Sequence, residues 1–259
     1  SLPNPPKRFR AFILPADNHQ TIAGSWYEKP YGWIELYKST ANGQISDGNG
    51  NYSLKGAKYG IYQGDSQVAV LTTNAEGYAK SGDLETGSYT IREIEASAGY
   101  AIDTKSYDVA VESEVTATVK VQEVPQNQPM DIVLQKIDAE TGEAKAQGAA
   151  SLEHAEFTLK FFTEQMDSNP EESGKQPVKT WVFKTDKGGK VKFTKEYLVS
   201  GDEFYYQLDG TTPCLPLGTV TIQEIKAPEG YFANKEVFVQ KITREGTEET
   251  VFCYNAAGV

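Results

Sequence analysis

One eleven-residue stretch occurs twice in this chain. Thr90–Tyr100 reads TIREIEASAGY and Thr221–Tyr231 reads TIQEIKAPEGY, and a glycine stands three residues before each, Gly87 and Gly218. The Gly, the Glu and the final Tyr are all displaced by 131 residues, so the two copies keep one internal spacing. Such a repeat predicts a modular chain. Side chains alternate between the two faces of a strand. Tyr89, Ile91 and Glu93 therefore share a face, as do Val220, Ile222 and Glu224. Each glutamate ends an apolar row aimed at a core, where a carboxylate is costly.

A lysine breaks the pattern in the same way. Trp33–Lys38 places Ile34, Leu36 and Lys38 in phase, and Asp131–Lys136 places Ile132, Leu134 and Lys136 in phase. Turn signals come next, Asn42-Gly43 and Thr141-Gly142. Further alternating segments, Gly56–Tyr62 with Val68–Thr72 and Ala155–Phe161 with Trp181–Lys184, lead to polar glycine turns at Gly77 and at Gly188-Gly189. The last strand of the second unit puts Val251, Cys253 and Asn255 on one face. In the first unit Val115, Ala117, Val119, Val121 and Asn127 share parity if the strand runs unbroken past Pro125, while Glu123 lies nearer the expected spacing. Each unit thus offers a Lys in its first strand, a Glu in a middle strand and an Asn in its last.

The expected organisation is an N-terminal segment over 1–30, with strands at Arg8–Leu14 and Ser25–Pro30, then units over 31–128 and 129–259. The two lysines are 98 residues apart and the two glutamates 131, so the second unit carries about 33 extra residues between those strands. The candidates are Glu164–Lys179 and Lys195–Pro216. The first lacks an apolar period and is expected to be the least ordered part of its unit.

Composition narrows the function. Fifteen Tyr and 23 Gly, with no long Leu-rich helical run, fit an all-β chain. A net charge of −11 argues against nucleic acid or an anionic membrane as partner. No run of about 18 apolar residues spans a membrane. Cys214 and Cys253 make no disulfide framework, and they and the two histidines, His19 and His154, have no metal spacing, so no metal or cofactor is expected. Asp47–Ser53 begins like a calcium loop, but Tyr52 stands where glycine is needed and Lys58 where a bidentate glutamate is needed, which favours a solvated turn.

The three in-phase polar residues suggest a covalent reaction. Burial disfavours the charged form of an amine, and a neutral amine is a nucleophile. A glutamate between amine and carboxamide can polarise the latter and relay protons. The amine then displaces ammonia, leaving an amide bond between side chains. The reaction occurs once per molecule, so this is maturation and not an enzyme activity.

The pattern Gly-x-Tyr-x-x-x-Glu-x-x-Ala-Pro-x-Gly-Tyr resembles the E-box of Cna B-type (SpaA-type, prealbumin-like) domains of Gram-positive adhesins and pilins. Gly218…Glu224…Ala227-Pro-Glu-Gly-Tyr231 matches it with Val220 for the Tyr, and Gly87…Tyr89…Glu93…Ala96…Gly99-Tyr100 matches it with Ser97 for the Pro. The resemblance covers roughly residues 31–259. It implies two tandem immunoglobulin-like (reverse Ig, prealbumin-like) β-sandwiches in a stalk on the cell surface, with the chain an excised piece of a longer, cell-wall-anchored protein. It implies a Lys136–Asn255 isopeptide bond assisted by Glu224, and a Lys38–Asn127 bond assisted by Glu93. The implied partners are neighbouring repeats of the same surface protein. The alternative is an adhesin module that binds a host extracellular matrix protein through the insertions of the second unit. No Leu-Pro-x-Thr-Gly sorting signal or Tyr-Pro-Lys pilin motif occurs within 1–259.

Overall fold

The alternating rows become strands. In the computed structural model, residues 30–243 are described, apart from the side chain of Ile132, together with the backbone of Arg8–Ile13 and Ile22–Tyr27. Those last two strands pair antiparallel, Arg8 opposite Tyr27. Among the described residues the only helical elements are Gly43–Ser46 and the 3-10 turn Pro170–Ser173, four residues each. The chain is all-β, two tandem sandwiches.

The chain divides into two compact units. Of the described residues, one takes in those up to Ser39, Leu54–Ser97 and Ile102–Gln122; the other takes in Thr40–Ser53, Ala98–Ala101 and those from Glu123 on. In the first, one sheet has the order Thr116–Glu123, Tyr31–Thr40, Tyr78–Lys80, with Leu84–Glu85 also on Tyr31–Thr40. The facing sheet runs Ser66–Thr72, Lys58–Gln63, Gly87–Glu95, Ser106–Val111. The Trp33 N–H donates to Val115 O and the Ser39 hydroxyl to Val121 O, both 82 residues on, so the first and last strands run parallel. The core between the sheets holds Ile34, Leu36, Tyr59, Ile61, Ile91 and Val121.

That last strand ends at Glu123. Pro125 has no N–H to continue the ladder, Val124 is exposed, and Asn127–Pro129 pairs separately with Pro213–Pro216. The unbroken strand on which the parity of Asn127 depended is therefore not formed.

In the second unit the large sheet is ordered Leu198–Gly201, Lys179–Lys184, Glu156–Phe162, Gly218–Lys226, Val237–Ile242, and Ile132–Gln135 pairs with Lys190–Lys192. Its core is aromatic, built on Phe157, Phe161, Trp181, Phe183, Phe193 and Phe204.

Both glutamate strands carry a bulge at the same place. Tyr59 faces Glu93 while its neighbour Lys58 faces Glu95; Phe157 faces Glu224 while Glu156 faces Lys226. The skipped residues, Ile94 and Ile225, are exposed. A bulge adds one residue and re-aims the side chains beyond it, which lets the glutamate end the inward row while the next charge points to solvent. The flanking pair is retained with its charges exchanged, Lys58–Glu95 at 2.6 Å and Lys226–Glu156 at 2.8 Å. Being exposed, those pairs contribute little stability and serve to fix register.

Matching hydrogen bonds locate the insertions. Ala57 and Ala155 N–H donate to the hydroxyls of Thr73 and Thr185, which donate on to Leu54 O and Leu152 O. The alanines are still 98 residues apart but the threonines are 112 apart, so 14 residues enter before Thr185 and 19 more before Glu224. Neither insertion is loose decoration. Within 164–179, expected to be poorly ordered, Asn169 caps the turn Pro170–Ser173, Lys160 holds Glu171, and Lys175 holds Glu164. Thr219 receives the Met166 N–H and donates to Glu164 O, covering the outer side of the glutamate strand. Charged side chains reaching back to the strands do what an apolar period would have done.

Candidate functional site

The site in each unit is a buried ion pair. Lys38 Nζ lies 3.2 Å from Glu93 Oε1, with both side chains fully buried, and Lys136 Nζ lies 2.8 Å from Glu224 Oε1, with 4% and 1% exposed. Both sequence-predicted Lys–Glu pairings are thus brought together. Each glutamate is the inward end of its row, and each lysine continues Ile34–Leu36 or Leu134 on the opposite sheet.

Two supports for these pairs were not anticipated from the sequence. The second oxygen of each glutamate accepts a main-chain N–H ten residues on, Asp103 N to Glu93 Oε2 at 2.5 Å and Asn234 N to Glu224 Oε2 at 2.7 Å. Asp103 and Asn234 each turn the chain by accepting the N–H two residues further on, from Lys105 and Glu236. The shared signal, an Asp or Asn ten residues after each glutamate, was present in the sequence. With one oxygen on the amine and one on the backbone, the carboxylate is fixed in a single orientation, which a catalytic group requires.

The second support is the glycine turn. The N–H of Lys38 donates to Gly77 O and that of Lys136 to Gly189 O. Both glycines have left-handed φ, +76° and +73°, and a Cβ there would stand 2.2 Å from Lys38 O or 2.7 Å from Lys136 O. Gly77→Ala is expected to destabilise the first unit by about 1–3 kcal/mol through strain and displacement of the lysine strand; thermal melting measures it, and an unchanged melting temperature would mean the turn does not hold that strand.

Around Lys136 the amine lies 5.9 Å from the Phe157 ring and 5.8 Å from the Tyr231 ring. Two rings this near, with the lysine side chain 4% exposed, make a low-dielectric surrounding in which a hydrogen bond to a carboxylate is strengthened.

Of the two expected acceptors only Asn127 falls among the described residues. Asn255 and Cys253 lie outside the described residues. Asn127 is half-buried in the second unit, its Nδ2 donating to Pro125 O and its Oδ1 accepting from Gln207 Nε2. Glu123 is buried. Cys214 is buried, its thiol pushed up to about 12 by desolvation. In the loop that begins like a calcium site, Asn49 and Asn51 instead donate to main-chain carbonyls of Leu217 and Thr163.

A 68-residue part of the chain is 40% identical to the trypsin-resistant surface T6 protein of Streptococcus pyogenes serotype M6, covering 26% of this chain and 12% of that protein. The Bacillus anthracis TIE protein shares the fold, with a TM-score of 0.55 and 23% identity over 91% of this chain and 38% of its own. The C-terminal fragment of the pilus adhesin SpaC from Lactobacillus rhamnosus GG aligns over 85% of each chain, with 15% identity and a TM-score of 0.46. The chain thus spans a minor part of the first two. The family model for the SpaA prealbumin-like fold domain matches residues 40–125 and again 130–256. With most of its length matched by the two copies, the chain belongs to the SpaA prealbumin-like fold domain family.

Proposed function

We propose that the chain is a structural stalk segment of an extracellular, cell-wall-anchored adhesin or pilin of a Gram-positive bacterium, and that its second unit is closed by a Lys136–Asn255 isopeptide bond. One observation carries this: a buried lysine and glutamate meet at matching positions in both units, each glutamate clamped by a main-chain N–H. A buried ion pair adds little stability compared with an apolar pair of the same volume, so its repetition points to chemistry.

The reaction is balanced without a cofactor. Lys136 Nζ adds to Asn255 Cγ, the Cγ–Nδ2 bond breaks, and ammonia leaves with the hydrogen released by the amine. Glu224 hydrogen-bonds the carboxamide and passes the proton. One bond forms per molecule and nothing turns over. In the first unit the first and last strands are neighbours; a crosslink between such strands in the second unit would tie together the two ends through which pulling force enters. Neighbouring repeats of the same surface protein are then its partners.

The resemblance extends the same chemistry to Lys38 and Asn127 with Glu93, a bond for which the Asn127 carboxamide would have to give up its hydrogen bonds to Pro125 O and Gln207. Intact mass under denaturing conditions tests both. The expected result is a chain lighter than its sequence by one ammonia for Lys136–Asn255 and by a second for Lys38–Asn127, with peptide mapping recovering each pair joined. A chain at its full encoded mass would exclude both bonds. An Asn127 peptide recovered unlinked would exclude the second.

A further inference from the structure

Asp138 stands two residues after Lys136, is buried, and collects donors from one loop. Its Oδ1 accepts the N–H groups of Glu140 and Thr141, the Thr141 hydroxyl and Gln147 Nε2; its Oδ2 accepts the Tyr231 hydroxyl at 2.7 Å. Tyr231 is the last residue of the repeated stretch, and its ring is one of the two beside the Lys136 amine. We propose that Asp138 and Tyr231 form a latch, a positioning pair that holds the tyrosine ring over Lys136 while the crosslink forms. This rests on the Lys136–Asn255 bond proposed above.

Local geometry supports a built device. The loop carrying Pro228-Glu-Gly-Tyr231 also joins the loop after the lysine through Ser151 N–H to Glu229 O. Gly230 has φ +85° and packs so closely on Ala150 that a Cβ would come within 2.7 Å of the alanine's own. Glycine there meets both the backbone conformation and the contact, and it delivers the next residue, Tyr231, to Asp138. The tyrosine hydroxyl is the foremost cause holding the Asp138 carboxyl well below its ordinary range, with the Thr141 N–H next. A carboxylate kept ionised is a strong acceptor for the phenol.

The first repeat lacks the pair. Thr40 stands where Asp138 would, its hydroxyl oxygen accepting from Ser46 and from the Asn42 N–H. The aspartate half of the latch is therefore not shared by the first repeat.

The test tracks ammonia loss in time. The full chain is made by cell-free synthesis, quenched at intervals and weighed intact, while circular dichroism gives the folded fraction. Tyr231→Phe removes only the hydroxyl and leaves the ring. It is expected to slow ammonia loss by about tenfold at equal folded fraction, because a small misplacement of reacting groups costs that much or more. Asp138→Asn, which keeps the shape and one acceptor oxygen, is expected to fall between Tyr231→Phe and the native chain. Trimethylamine N-oxide, which favours the folded state, should leave these ratios unchanged. Equal rates in all three chains, or full recovery of the variants in the osmolyte, would overturn the latch and leave a purely structural contact. A native chain that never loses ammonia would overturn crosslink and latch together, so the two failures read differently.

Discussion

Glu224→Ala is expected to lower the melting temperature of the second unit by roughly 15 °C or more, and to lower it further than Asn255→Ala does. Two losses separate the variants. Neither can form the proposed crosslink, which would close a loop of more than 100 residues between 136 and 255; by analogy with a disulfide of that span, its absence would cost about 4–5 kcal/mol. Only Glu224→Ala also strands a buried charge. Lys136, with a side chain 4% exposed, loses its partner at 2.8 Å, and removing one half of a buried pair costs about 3–5 kcal/mol. The Asn234 N–H loses its acceptor as well. These contributions share neighbours and will not simply add. Differential scanning calorimetry of the three chains, with intact mass on each, makes the comparison. If Asn255→Ala melts with the native chain, no bond is contributing. If it melts with Glu224→Ala, the ion pair contributes nothing once the bond is gone.

Much of the site was legible because two periodicities coincide. An alternating row ending in Glu93 or Glu224, and another continuing to Lys38 or Lys136, can meet only if both face one core, and the burial of all four shows that they do. The bulge at Ile94 and Ile225 was hidden, since period two alone predicts that alternation continues through it. The exchange of Lys58–Glu95 for Glu156–Lys226 was a readable sign of it: opposite charges that face each other across neighbouring strands must share a register. Asn127 was less legible. Its assignment needed the strand to cross Pro125, but a proline cannot donate to the ladder, and the residues beyond it pair instead with Pro213–Pro216. Glu164–Lys179 departs from expectation for a different reason. A stretch without an apolar period predicts little order, whereas Lys160–Glu171, Lys175–Glu164 and Thr219 fix it through polar contacts that periodicity does not register.

Trp181→Ala is expected to destabilise the second unit by about 3–5 kcal/mol while leaving the first unit's transition in place. Trp181 is fully buried, opposite Leu159 across the strand pair. Its ring meets Phe193 at 5.3 Å, Phe204 at 6.2 Å and Tyr205 at 6.5 Å, and the last two belong to the later insertion. Its indole N–H donates to Asp202 O at 2.7 Å, also in that insertion. Gly201 lies so close that a Cβ would stand 2.7 Å from the Trp181 Cα, so the inserted strand Leu198–Gly201 is seated directly on the tryptophan. Removing the side chain opens a cavity between sheet and insertion and leaves the Asp202 carbonyl without that donor. Trp181→Phe keeps most of the volume and loses only the hydrogen bond, so it should cost about 1 kcal/mol. Calorimetry of the full chain resolves which transition moves. A cost below about 1 kcal/mol for Trp181→Ala, with Leu198–Gly201 keeping its protection from hydrogen exchange, would show that the insertion does not depend on this anchor. A large cost, accompanied by faster exchange through Leu198–Pro216, would show that the second unit stores part of its stability in residues the first unit does not have.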